Sequence, residues 1–157
     1  MLNKNKDPLS SASLRARAIA ALARREHSRK ELEKKLGPLS ETAEQLAEIL
    51  DHLEREGLLS NKRYAESVSR VRGQRYGAAR VVFELRQKGV DPENLELIAQ
   101  QLHDTEWSRI QQVWKKRFDS LPDSPEETAR QQRFLLQRGF STELIYRLFR
   151  ELRAQAA

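Results

Sequence analysis

Apolar residues recur along this chain mainly at helical spacings of three or four positions. Leu46, Ile49, Leu50 and Leu53 show the pattern well, since such spacing places all four on one helix face. No stretch has the strict alternation of apolar and polar residues that predicts a strand. Residues that favour helices dominate, and glycine and proline fall only at points where helices end or begin. The pattern predicts an all-α protein.

N-cap residues and glycine stops divide the chain into nine predicted helices. Ser28 is an N-cap, and Glu31 three positions later completes a capping box. Asp91 precedes Pro92, which suits the first position of a helix. A sixth helix begins at this point, and a separate seventh helix is expected from about Thr105. The nine helices group into three triplets over 13–57, 60–103 and 105–153, after a disordered tail over 1–12.

Similar junctions recur in the three triplets. Each has a leucine, then basic or amide residues, then a glycine, and an N-cap residue follows closely. The glycines are Gly37, Gly89 and Gly139, and the caps are Ser40, Asp91 and Ser141. Three unrelated helix ends would give a similar short pattern, but the recurring order of helices and caps favours repeats. We therefore predict three tandem helical units that pack against their neighbours.

Composition narrows the class of protein. Hydrophobic residues make up 38% of the chain and charged residues 33%, against about 45–50% and 25% in average globular domains. Such a thin core suits an elongated shape. The absence of cysteine from the sequence excludes disulfides, thiolate catalysis and cysteine-type zinc sites. No apolar run is long enough for a signal peptide or a membrane span, so we expect a cytoplasmic protein.

Positive charge is concentrated in the middle of the sequence. Between Asn61 and Lys88 there are eight basic and two acidic residues, a difference that equals the net charge of +6 of the whole chain. The remaining basic and acidic residues balance. This segment would therefore steer anionic partners towards itself.

Arginines in this segment are the first candidate binding residues. Arg63 and Arg70 lie seven positions apart, on the helix face opposite Tyr64, Val68 and Val71, which we expect to point inward. Three more arginines, Arg72, Arg75 and Arg80, cluster about Tyr76 and Gly77. Arginine suits carboxylates and phosphates alike, so the pattern fits an acidic protein groove, DNA phosphate or both. An ordinary solvated helix face is the alternative interpretation.

Four aromatic or glycine positions have a structural interpretation. Gly77 is expected to give the helix–helix turn a positive φ, while Tyr76 next to it could stack on a base or a partner. Trp107 and Trp114 share one helix face, which predicts core positions.

Catalytic or metal chemistry has no basis in this sequence. Paired carboxylates such as Glu31 and Glu33 lie among lysines and arginines on polar helix faces, as in ordinary ion pairs. His27, His52 and His103 are scattered, and there is no glycine-rich phosphate loop. We predict no enzyme, no cofactor and no metal site.

Four runs, in the right order over residues 14–150, resemble the RecX family. They are ALARREHSRKEL at 21–32, GLLSNKRYAES at 57–67, RYGAAR at 75–80 with ELRQKG at 84–89, and RFLLQRGF at 133–140. The resemblance implies a regulator of the RecA recombinase built from three tandem three-helix repeats in an elongated, curved arrangement. Such proteins bind the groove of the RecA–single-stranded-DNA filament and bridge its protomers. They usually restrain ATP hydrolysis, strand exchange and co-protease activity in DNA repair, homologous recombination and the SOS response.

The resemblance implies the RecA filament as partner, and the central basic segment offers a surface to single- or double-stranded DNA as a second partner. Because open tandem repeats need no partner chain, we expect a monomer. The residues expected to bind partner or nucleic acid are Arg63, Arg70, Arg72, Arg75, Tyr76, Arg80, Phe83, Arg86 and Lys88.

Two positions depart from the family's pattern. Gly37-Pro38-Leu39 stands where many relatives have a longer basic linker. Phe83 stands where relatives often carry polar or basic residues, either as an exposed partner contact or as a side chain buried by the next repeat.

Two other functions also fit the sequence. One is a helix-turn-helix-type DNA-binding regulator, although few base-reading side chains accompany the arginines. The other is a non-specific single-strand binder, although only one tyrosine interrupts the basic run.

Overall fold

Helices and the turns between them make up the part of the chain that the computed structural model describes, residues 7–157. This confirms the all-α prediction. The eight α-helices are α1 (Ser11–Arg24), α2 (Arg29–Leu36), α3 (Ala43–Arg55), α4 (Asn61–Arg72), α5 (Ala78–Gln87), α6 (Pro92–Arg117), α7 (Pro125–Gln137) and α8 (Thr142–Ala156). A short 3₁₀ turn, Gly37–Leu39, follows α2.

Most helices begin at the N-caps that the sequence predicts, but Ser40 ends the 3₁₀ turn and the N-cap of α3 is Thr42. Ser28 accepts a hydrogen bond from the Glu31 amide, and the Glu31 carboxylate accepts one from the Ser28 amide, which is the predicted capping box. The Asp91 carboxylate likewise accepts from the Asn94 amide at 3.2 Å. Such caps satisfy amides that the first turn of a helix leaves without partners.

Helix α6 differs from the prediction, because the expected sixth and seventh helices are one helix of 26 residues. No glycine or proline occurs between Glu93 and Arg117 to stop it. Thr105, expected near the start of a new helix, lies inside α6, and its hydroxyl donates back to the carbonyl of Leu102 at 3.3 Å. The helix count is therefore eight over the described residues, not nine.

The N-terminal segment is also more ordered than predicted. Helix α1 begins at Ser11 with Ser10 as its N-cap, and the Leu9 amide donates to the carbonyl of Leu39 at 2.8 Å. Residues 1–6 of the expected disordered tail lie outside the described residues.

Buried side chains form three separate cores in sequence order. The first lies among α1, α2 and α3 and includes Leu14, Leu32 and Leu50. The second joins α4 and α5 to the first half of α6, with Leu102 on that helix, and the third joins the second half of α6 to α7 and α8, with Ile110. We call these packed groups units 1, 2 and 3. They confirm the prediction of three tandem helical units, with α6 shared by two of them.

The total accessible surface of 10587 Å² agrees with this open arrangement. A compact monomer of the same mass would expose about 8,100 Å². No helix in residues 7–157 combines the length and the apolar character that crossing a bilayer requires.

The two tryptophans occupy different depths. Trp114 is buried in the third core, as predicted, and its indole N–H donates to the Gln131 side-chain oxygen at 2.8 Å. Trp107 was also predicted to be a core residue, but it is only partly buried at the edge of that core. The Arg147 guanidinium lies 3.9 Å from the centroid of its ring.

Units 2 and 3 meet where the turn before α5 touches the turn after α7. The Gly77 amide donates to the Arg138 carbonyl at 2.7 Å. A Cβ on Gly77 would collide with the carbonyl of Gly139 and lie 2.6 Å from the Phe140 nitrogen. The expected positive φ at Gly77 is wrong, since its φ is −72°. Glycine is required there because two backbones approach closely.

Candidate partner-binding surface

The nine residues expected to bind a partner fall into two groups. Four of them, Arg63, Arg72, Tyr76 and Arg80, hold parts of the protein together. The other five, Arg70, Arg75, Phe83, Arg86 and Lys88, are exposed. Within the described residues, the four basic side chains of this second group form no ion pair with a carboxylate.

Arg72 and Arg80 pack against the ring of Tyr76, with guanidinium carbons 4.1 and 4.2 Å from its centroid. The Glu84 carboxylate accepts hydrogen bonds from Arg72 at 2.6 and 3.0 Å and lies 3.5 Å from Arg80. The bond from Arg72 holds the pKa of Glu84 below its usual range, although partial burial opposes this. Glu84 compensates one of these two positive charges, and both arginines help to hold the turn at Tyr76 in place.

Arg63 lies apart from this group, at the junction of units 1 and 2. Its guanidinium donates to the Glu26 carboxylate at 2.9 Å and to the Gly57 carbonyl at 2.7 Å. The nearby Arg29 amide donates to the Asn61 side chain at 3.0 Å. Arg63 therefore connects two units through partly exposed polar contacts.

Two residues that the sequence analysis missed, Glu106 and Arg109, fix the turn before α5. Glu106 is 7% exposed, and its carboxylate accepts from the Ala78 amide at 3.0 Å, capping α5 where Gly77 has no side chain to do so. Arg109 donates to the carbonyls of Gly73 and Tyr76 at 2.8 and 2.7 Å. Burial lowers the pKa of Arg109, which nevertheless stays charged.

The outer face of α5 carries an exposed aromatic side chain. Phe83 is 56% exposed, so the next unit does not bury it, and the alternative of an exposed position is correct. Arg86 lies three positions further along the same helix and therefore on the same side. A shallow groove between α5 and α6, lined by Ala79, Val82 and Ala99 among others, continues this surface. We call Phe83, Arg86 and this groove the α5 face.

The remaining exposed residues lie at the ends of helices. Arg70 is exposed near the end of α4, and Lys88 is exposed at the C-cap of α5. Val71 next to Arg70 is 63% exposed, so the expectation that it points inward is wrong, while Tyr64 is buried and Val68 partly buried as predicted. In the last turn of α4, Arg70 and Val71 therefore both face solvent.

Arg75 belongs to a different place, a cleft of about 600 Å³ between units 2 and 3. Its other basic lining residues are Lys116, Arg117 and Arg138, contributed by the end of α6 and the turn after α7. These three residues were not predicted, because they lie outside the basic central segment.

Residues 7–157 contain no group of three or more histidine, cysteine or acidic residues that could hold a metal ion. Their surface instead presents the α5 face, with an exposed aromatic and a basic side chain, and a basic cleft between units 2 and 3. Three tandem helical units define a helical-repeat protein.

Comparison with known proteins identifies the family. Residues 60–97 match the second three-helix domain of RecX, and residues 104–149 match the third. The chain belongs to the RecX family. Its relatives include Regulatory protein RecX of Ralstonia pickettii (strain 12J), 44% identical over 141 residues that cover 90% of this chain and 89% of the relative. Regulatory protein RecX of Pseudomonas entomophila (strain L48) is 43% identical over 87% of this chain and 89% of its own.

A solved structure supports the fold. The crystal structure of RecX from Lactobacillus salivarius matches 92% of this chain and 97% of its own with a TM-score of 0.73, at 23% identity. The curated relatives are named as regulatory proteins. The predictions of a RecX-type fold and of a regulatory protein rather than an enzyme are thus confirmed.

Proposed function

We propose that this protein regulates the RecA recombinase as a monomer in the cytoplasm. It binds in the groove of the RecA–single-stranded-DNA filament and restrains ATP hydrolysis, strand exchange and co-protease activity. Membership in a family of regulatory proteins supports this function, and so does the resemblance of the four sequence runs to the RecX family. The observation that carries the proposal is the α5 face, a phenylalanine and an arginine exposed side by side on unit 2.

Phe83 and Arg86 have the chemistry that protein interfaces use for their strongest contacts. Aromatic residues and arginine are enriched at interfaces, and arginine is over-represented among the residues that dominate binding energy. The neighbouring groove offers the apolar side chains of Val82 and Ala99 to a partner. Unpaired basic side chains near this face, such as Lys88, would speed the association of the protein with a filament that contains DNA phosphates.

The tandem arrangement suits a binding site longer than one filament protomer. Units 1, 2 and 3 follow one another along the chain, each with its own core, so they can contact successive protomers. The protein then restrains the filament by binding one of its states more tightly than the other. A tenfold preference for one state corresponds to about 1.4 kcal/mol.

The test is the DNA-dependent ATPase rate of RecA on single-stranded DNA, titrated with the wild-type protein and two double variants. Phe83→Ser with Arg86→Glu removes the α5 face. Leu136→Ser with Arg133→Glu is the matched control, because Leu136 is 54% exposed and Arg133 lies three positions away on α7. We expect the wild type and the control to lower the ATPase rate at less than one copy per RecA protomer. The α5-face variant should leave this rate unchanged.

Other outcomes would change the conclusion. If the control loses its effect while the α5-face variant keeps it, the contact surface lies on unit 3. If no version changes the rate while all bind duplex DNA strongly, the protein is a helix-turn-helix-type DNA-binding regulator instead.

A further inference from the structure

The cleft between units 2 and 3 has a composition unlike the rest of the surface. Its basic side chains are Arg75, Lys116, Arg117 and Arg138, and its other lining residues are Gln74, Gln112, Val113 and Phe134. No carboxylate lines it. A cleft of about 600 Å³ with this lining is large enough for a bound ligand.

The four cations of the cleft have no neutralising partner within residues 7–157. None of them lies within 4 Å of a carboxylate, and no acceptor takes a hydrogen bond from their side chains. Other arginines of units 2 and 3 differ, since Arg80 pairs with Glu84 and Arg130 with Glu127. Four uncompensated positive charges around one concavity create a strong local attraction for an anion.

Aromatic rings hold two of these cations in place. The guanidinium carbons of Arg138 and Arg117 lie 4.8 and 5.5 Å from the centroid of the Phe134 ring. Phe134 is itself fixed by an edge-to-face contact with Phe118, with centroids 5.3 Å apart. Arginine held against a ring loses less freedom on binding, and its planar fork suits phosphate oxygens.

We propose that this cleft binds single-stranded nucleic acid, with its four cations on the phosphodiester backbone and the Gln74 and Gln112 amides on base edges. A single strand can enter a cleft between two units and expose its phosphates and bases together. Duplex recognition instead needs an element that projects into a groove. The site goes beyond the proposed function, because it is separate from the α5 face and requires no RecA.

The experiment measures anisotropy of a fluorescein-labelled oligothymidylate of about 20 nucleotides, with the full chain and no RecA, between about 50 and 200 mM salt. Arg75→Glu with Lys116→Glu reverses two cleft charges. The matched control, Lys34→Glu with Lys35→Glu, makes the same change at two exposed lysines of α2 in unit 1. We expect about tenfold or greater loss of affinity for the cleft variant only. Its salt-dependence slope should fall by about 1.4, or about 0.7 for each lost phosphate contact.

Several outcomes would overturn the inference. Equal loss in the cleft variant and the control would mean that only overall charge matters. Displacement of the oligonucleotide by polyglutamate at equal charge concentration would assign the cleft to acidic peptide. Tighter, cleft-dependent binding of a duplex of the same length would reject the single-strand preference. A milder pair, Arg75→Gln with Lys116→Gln, should show a smaller loss and guards against misfolding of the charge-reversed variant.

This result is separable from the test of the α5 face. The variant Phe83→Ser with Arg86→Glu should bind the oligothymidylate like wild type, because neither residue lines the cleft.

Discussion

At the scale of single residues, Gly77 shows how one missing side chain lets two units meet. Its φ of −72° suits any residue, so only the neighbouring backbone of Gly139 and Phe140 forbids a Cβ. We expect Gly77→Ala to lower the free energy of unfolding by about 1–3 kcal/mol through overpacking. Urea unfolding followed by circular dichroism measures this change.

Gly37→Ala is the matched control for this substitution. A Cβ there meets nothing within 4 Å, and the φ of Gly37 is −50°. Alanine should be neutral at this position or stabilise the protein by about 0.4–1 kcal/mol. If both alanine variants unfold at the same urea concentration, the close approach at Gly77 has no energetic importance.

The pH dependence of stability should report on Glu84. Its pKa is lowered in the folded state, so its contribution is present above its ordinary pKa of about 4.3 and is lost as the pH falls below that value. Glu84→Gln should therefore cost about 0.5–1 kcal/mol at pH 7 and progressively less below pH 4.3. Glu66→Gln, at an exposed glutamate of α4, should change stability at neither pH. A constant effect of Glu84→Gln at all pH values would contradict the ion pair with Arg72.

Single charged residues were the least predictable part of the site. The sequence locates the excess of positive charge, but whether an arginine is free depends on which carboxylate the fold brings to it. Arg72 meets Glu84 on the next helix, while Arg75, three positions away, meets none. The burial of Glu106 could have been predicted, because it lies between Leu102 and Ile110 at the four-residue spacing of a buried helix face.

At the scale of helices, α6 allows a direct test of the correction to its length. Thr105 lies inside the helix, so Thr105→Ala should change the free energy of unfolding by no more than about 0.5 kcal/mol. Asp91→Ala removes the actual N-cap of α6 and should cost about 1 kcal/mol. A loss of equal size for Thr105→Ala in thermal or urea unfolding would indicate that a second helix begins there.

Helix starts were predictable where the signal is local, as at Ser28 and Asp91, whose caps involve residues three positions away. The continuity of α6 was harder to predict. Asp104 and Thr105 have good capping side chains, yet only packing decides whether the backbone breaks there. The two halves of α6 pack into different cores, which explains why the sequence of α6 has the pattern of two separate helices.

At the scale of the whole molecule, the two junctions between units differ in kind. Units 2 and 3 share α6, the Gly77 contact and the carbonyl bonds of Arg109. Units 1 and 2 meet through polar contacts such as Arg63 with Glu26, which is partly exposed and so contributes little. We infer that units 2 and 3 form one cooperative block, while unit 1 can open separately.

Hydrogen exchange in two core variants tests this division. Leu50 and Leu135 are both fully buried, in the first and third cores, and alanine at either should cost about 2–5 kcal/mol. Leu50→Ala should speed amide exchange in α1, α2 and α3 while α4–α8 stay protected. Leu135→Ala should speed exchange in both units 2 and 3, because a disturbance at one end of α6 is transmitted to the core at its other end. Uniform acceleration along the whole chain in Leu50→Ala would mean that all three units unfold together. In that case the polar contacts at Arg63 couple units 1 and 2 as strongly as the shared helix couples units 2 and 3.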